Sequence, residues 1–136
     1  MNDKRFIDTN VVIYALDANS PKGRVAMELL REPHSMSTQV IMESVNVLIK
    51  KLGFTMCDAF EHAKFLLFNS DVRIIGQETL LKEFDISERY GYSHWDSLII
   101  ASAIEAGCNT LYSEDLKDGQ IIEGSLTIRN PFIHQS

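Results

Sequence analysis

A chain of 136 residues, with hydrophobic residues at 45% and charged residues at 24%, is sized and composed as one globular domain that can build a core without disulfide or metal staples. That profile excludes a disordered segment, and the lack of any apolar run near the ~20 residues of a membrane-spanning helix excludes such a span. A net charge of −6 argues against a passive nucleic-acid-binding module, which ordinarily carries a basic footprint.

Along the chain, short apolar strands alternate with longer helical patterns. Lys4 to Asp8 reads as a strand and Val11 to Leu16 as the start of a helix, interrupted at Asn19, Ser20 and Pro21. Because Asp8 arrives before any apolar stretch could form, no signal peptide is expected. Pro21 suits a first helical turn, and Val25, Met27, Leu29 and Leu30 carry that helix to Pro33. A strand follows at His34 to Ser37, then a helix from Thr38 to Leu52 stopped by Gly53. Thr55 is a good N-cap for a helix through Phe68, with Phe60, Ala63 and Leu67 at helical spacing. Val72 to Ile75 is a β-branched strand, Thr79 to Tyr90 a helix stopped by Gly91, and Ser93 to Ala106 a helix stopped by Gly107. Strands at Asn109 to Ser113 and Leu126 to Arg129 complete the pattern. Strands separated by helices imply parallel pairing through right-handed crossovers, hence a Rossmann-like α/β sandwich with a parallel sheet. The run from Leu98 to Ile104 is apolar nearly all round, as a buried helix requires. Cys57 and Cys108 show no metal or disulfide spacing; both read as buried apolar fillers in a reducing, cytoplasmic setting.

Four carboxylates are placed where chemistry is expected. In an open α/β sheet, ligands bind beyond the carboxyl ends of the strands, where strand order reverses. Asp8 ends the first strand and Asp115 follows the late strand Leu111-Tyr112-Ser113. Asp8, beside Thr9 and Asn10, also reads as a helix cap. Asp96 falls in Ser93-His94-Trp95-Asp96, a capping-box pattern that needs no catalysis to explain it. Glu43 shares a polar helical stripe with Asn46 and Lys50, which suits either a solvated face or a site. Together the acids offer the hard oxygen ligands that Mg²⁺ or Mn²⁺ prefers. The four histidines lack zinc spacing, and no phosphate-binding glycine loop, dinucleotide fingerprint or serine-hydrolase elbow is present.

The order Phe6-Ile7-Asp8-Thr9-Asn10-Val11, Val40-Ile41-Met42-Glu43-Ser44-Val45-Asn46, Trp95-Asp96-Ser97-Leu98-Ile99 and Tyr112-Ser113-Glu114-Asp115-Leu116 resembles the PIN-domain family, and within it the VapC-type toxin nucleases. Any one segment is short, but all four in order, in a chain of this length, are specific. The resemblance implies a single nuclease domain over residues 1–136 that hydrolyses RNA phosphodiester bonds with Mg²⁺ or Mn²⁺. By position it implies Asp8, Glu43, Asp96 and Asp115 as catalytic and metal-binding residues, with Asn10 and Ser113 bracing them. Asp118 is a further candidate acid. Glu43 is open to a role as ligand or as proton acceptor. It also implies an antitoxin partner, although a PIN nuclease working without one fits the same residues. A receiver-like phospho-signalling domain shares acids at strand ends, but would want an acidic pair after the first strand, where Thr9 and Asn10 stand, and an aspartate ending its third, where Val72 to Gly76 supply none. For a −6 chain, contact with RNA is expected to depend on the metal and on local cations, Lys50 and Lys117 being the candidates, or on a basic surface formed in a homodimer.

Overall fold

The computed structural model describes residues 3–133. Strand β1 (Arg5–Ile7) is central, with Phe6 and Ile7 fully buried. On one side of it β2 (Ser35–Ser37) and β3 (Asp71–Arg73) follow in parallel; on the other stand β4 (Thr110–Tyr112) and β6 (Leu126–Arg129), also parallel. A two-residue strand, β5 (Ile121–Ile122), runs antiparallel to β6 at the edge, giving the order β3-β2-β1-β4-β6-β5. The register sets Phe6 between Ser35 and Leu111.

The helices are α1 (Thr9–Tyr14), α2 (Pro21–Arg31), α3 (Thr38–Lys50), α4 (Met56–Asn69), α5 (Gln77–Tyr90) and α6 (His94–Glu105). The chain steps outward through α1–α2 and α3–α4, then returns across β1 through α5–α6. Right-handed crossovers put the outward and returning helices on opposite faces, which makes three layers. The expected caps are used: Ser20 Oγ accepts from Gly23 N at 2.9 Å with Pro21 at the first helical position, and Thr55 Oγ1 accepts from Asp58 N at 3.1 Å. Gly23 packs onto the preceding loop, where an added Cβ would fall 1.7 Å from the Asp17 carbonyl oxygen. Seven consecutive residues of α6, Ser97 to Ala103, are buried, as its all-round apolar sequence requires.

Three details differ from the sequence reading. The buried stripe of α4 is Ala59, Ala63 and Leu66, while Phe60 and Leu67 are 46% and 47% exposed. Both stripes obey helical spacing, and α4 settles on α3 through its small residues, turning its aromatics outward. Cys108 is buried as expected, but Cys57, on the outer face of the first turn of α4, is exposed. Strand β5 has no counterpart in the sequence reading, because two residues are too few to show alternation. No helix among the described residues is long and apolar enough to cross a membrane.

Candidate functional site

The strand order reverses between β1 and β4, and their carboxyl ends are tied together by a hydrogen bond from Asp8 N to Tyr112 O at 3.0 Å. Helix α1 leaves immediately after β1, so Asp8 is both the last extended residue and the N-cap. Its Oδ1 accepts from Thr9 N at 2.7 Å, and its Oδ2 accepts from Ser113 Oγ at 2.8 Å. The capping and site readings of Asp8 are thus compatible, each oxygen taking one donor. Asp8 is only 7% exposed. Burial pushes its carboxyl from the ordinary 3.8 up to about 6; the Ser113 and Thr9 hydrogen bonds oppose the rise, and the charges of Glu43 and Asp115 add to it.

The remaining acids come from three other segments. Ser113 Oγ, besides donating to Asp8, accepts from Asp115 N at 3.2 Å. Asn10 Nδ2 donates to Asp115 Oδ2 at 2.9 Å while its Oδ1 accepts from Glu114 N at 3.2 Å, so the start of α1 holds the loop after β4. Glu43, from the polar stripe of α3, is held at both oxygens: Thr9 Oγ1 donates to Oε1 at 2.7 Å and Gln39 Nε2 to Oε2 at 3.3 Å. At the start of α6, Ser93 Oγ accepts from Asp96 N at 3.2 Å, which is half of a capping box. The other half is not made. The Asp96 carboxylate has no hydrogen-bond partner among the described residues and faces the cleft.

That cleft, of about 450 Å³, is lined by Asp8, Glu43, Asp96 and Asp115 together with Lys50, Lys51 and Trp95. A second cleft of about 570 Å³, lined by Asp3, Arg5 and Asp71, is at the opposite ends of the strands. There Asp3 pairs with Arg5 and Asp71 with Arg73, so two of its acids already have a cationic partner. Among the described residues, none of Asp8, Glu43, Asp96 and Asp115 forms a salt bridge.

Among the described residues, no three His, Cys, Asp or Glu side chains converge closely enough to hold an ion between them. The donor set still fits Mg²⁺ or Mn²⁺. Mg²⁺ keeps several of its waters and is commonly held through only one or two carboxylates, so acids spread along a cleft suit it better than a closed cage would. Asp96 and Asp115 line the cleft, and the Asp8 carboxyl is raised chiefly by its burial, with the charges of Glu43 and Asp115 adding to the rise.

Two candidates stand elsewhere. Asp118 Oδ1 accepts from Asn130 N at 2.8 Å, pinning the segment after β6, and it does not line the cleft. Lys117 also lines no part of it, whereas Lys50 does, joined by Lys51. Sequence reasoning missed Lys51, Thr9, Gln39 and Trp95. Gln39 is one helical turn before Glu43 and Trp95 adjoins Asp96, so spacing and adjacency were the available signals; Lys51, past the last helical turn of α3, gave none.

The PIN-domain family model matches residues 5–117, a span containing all four acids. The chain belongs to the PIN-domain family. Solved structures share its fold across nearly its whole length. A toxin–antitoxin complex from Klebsiella pneumoniae superposes with a TM-score of 0.71 at 21% identity, covering 94% of this chain and 98% of that one. The DNA-bound VapBC complex of Salmonella typhimurium gives 0.70 at 17% identity, covering 96% and 99%. A VapC toxin of Mycobacterium tuberculosis described as cleaving the sarcin–ricin loop gives 0.65 at 18% identity, covering 79% and 86%. No curated protein sequence matches this PIN domain significantly.

Proposed function

We propose that this PIN domain is a divalent-metal-dependent endoribonuclease and the toxin of a type II toxin–antitoxin pair, acting in the cytoplasm. The observation that carries the reading is the convergence of Asp8, Glu43, Asp96 and Asp115, from four separate segments, on one cleft at the switch point of the sheet. Toxin and antitoxin are named for the structural relatives from Klebsiella pneumoniae and Salmonella typhimurium, and RNA cleavage for the one from Mycobacterium tuberculosis. Asp8, Asp96 and Asp115 would hold Mg²⁺ or Mn²⁺ between them, one or two directly and the rest, with Glu43, through its waters. Bound there, the cation would supply Lewis-acid chemistry, activating water for in-line attack and neutralising charge on the phosphate. The chain's own residues do the rest. Ser113 and Thr9 fix the orientation of Asp8, Asn10 fixes Asp115, and Thr9 with Gln39 hold Glu43 at both oxygens, so that it can act as ligand or take a proton. Lys50 and Lys51 supply positive charge along the path of an RNA backbone.

The test is cleavage of single-stranded and structured RNA by purified protein with Mg²⁺, with Mn²⁺ and with EDTA. Cleavage restored by either ion and abolished by the chelator supports the reading; cleavage that survives exhaustive chelation refutes it. Co-expression with the product of the adjoining gene then separates a toxin from a PIN nuclease that works alone: an antitoxin should form an isolable, inactive complex.

A further inference from the structure

Beside the carboxylates the surface continues into a shallow groove of about 360 Å³, lined by Gln39, Met42, Glu43, Asn46 and Trp95. It shares Gln39, Glu43, Asn46 and Trp95 with the acidic cleft, so the two form one continuous surface. Trp95 is 60% exposed and Met42 64%, apolar area set directly beside a cluster of charges. The indole is not left to swing. The His94 ring packs on it with centroids 4.7 Å apart and planes at 60°, and His94 Nδ1 is 2.8 Å from Oε1 of buried Glu83. From the other direction, Gln39 Nε2 donates both to the Trp95 carbonyl oxygen at 3.2 Å and to Glu43. One buried amide therefore ties the backbone of Trp95 to an acid of the site.

We propose that Trp95, with Met42 and Asn46, forms a nucleobase subsite in which one unpaired base of single-stranded RNA stacks on the indole beside the carboxylate cleft. Every base has a π-face, so an exposed, braced indole accepts any of them, and the Asn46 amide offers a donor and an acceptor to a base edge. The occupant is a nucleic acid rather than a protein helix because the groove opens directly onto the acids and onto Lys50 and Lys51, the groups that would meet the adjoining phosphates. The subsite rests on the ribonuclease reading for its substrate, but binding and cleavage are separately measurable.

Trp95 is the single tryptophan of the chain, so its fluorescence reports on the subsite alone. The full-length protein is mixed with a ten-nucleotide single-stranded RNA, and with an abasic oligomer of equal length, in Mg²⁺ by stopped flow so that binding is read ahead of turnover. The RNA should quench the emission saturably, and the abasic oligomer should bind more weakly without quenching. Trp95→Ala should lower affinity by about 5- to 150-fold, the range of one base–aromatic stack, and raise KM far more than it lowers kcat; Trp95→Phe should recover most of the loss. Quenching with no cleavage of any RNA would support the subsite while removing the ribonuclease reading. Cleavage with no quenching, and with equal affinity for the RNA and the abasic oligomer, would overturn the subsite and leave the ribonuclease reading standing. A Trp95→Ala protein with unaltered RNA affinity but a changed sedimentation mass would also overturn it, assigning the indole to a protein interface.

Discussion

Replacing Asp8 with Asn should make the metal-free protein more stable at neutral pH while destroying its activity. Asp8 has an ordinary carboxyl pKa of 3.8 when unfolded and about 6 in the fold. Between those values the folded protein binds more protons than the unfolded one, so this group's contribution to stability falls as pH rises through about 4 to 6. A shift of that size corresponds to about 3 kcal/mol held against the fold above pH 6, at 1.36 kcal/mol per unit. Asn keeps the shape and most of the hydrogen bonding: its oxygen can accept from Thr9 N and its amide can donate to Ser113 Oγ. Denaturant melts of wild type and Asp8→Asn in EDTA, from pH 3 to 8, should show a difference near zero at the acid end, growing through pH 4 to 6 to a plateau of up to about 3 kcal/mol in favour of the variant. Mg²⁺ should reverse the ranking, because it stabilises only the protein that binds it. A difference that is flat with pH, or an Asp8→Asn protein that is the weaker of the two at pH 8, would refute the account of Asp8 as an ionised acid held at a cost.

Mg²⁺ binding near pH 5.5 should release up to about one proton in wild type and essentially none in Asp8→Asn, read by calorimetry in buffers of differing ionisation enthalpy. Asp96→Asn should change stability by no more than about 1 kcal/mol, since Ser93 still caps α6, while cleavage drops by at least about a hundredfold; an early melt with normal cleavage would return Asp96 to a purely capping role. Asp118→Ala should loosen the segment around Asn130, lowering stability by about 1 kcal/mol and leaving the cleavage rate within a few-fold of wild type. Lys50→Ala or Lys51→Ala should flatten the log–log salt dependence of RNA affinity by about 0.7, and Lys117→Ala should leave it unchanged.

How much of this was legible beforehand depended on whether a feature is local. Helices with a clear cap and a strong apolar pattern, such as α2 behind Ser20-Pro21 and α6 behind Ser93, announce themselves within a dozen residues, and Asp8 and Asp115 stand out because each follows an apolar strand. Glu43 was ambiguous from periodicity alone, since a polar stripe looks the same whether it meets water or three other carboxylates. The choice is made by Thr9, thirty-four residues away, and by Gln39, whose burial no local rule foretells. Asp118 shows the same dependence on distant partners. It sits in an acidic-looking stretch close to Asp115, but the chain turns after Leu116 and spends its carboxylate on the backbone of Asn130.

The pairing of β1 with β4 carries a consequence for the making of the protein. Asp8 precedes Ser113, whose hydroxyl orients it, by 105 positions of the chain, and Asn10 precedes Asp115, which its amide orients, by the same 105. A nascent polypeptide that has not yet released β4 from the ribosome lacks Asp115 and the clasp that Ser113 and Asn10 make between the two ends of the site. The cleft is therefore completed only when β4 pairs with β1, late in the making of the domain.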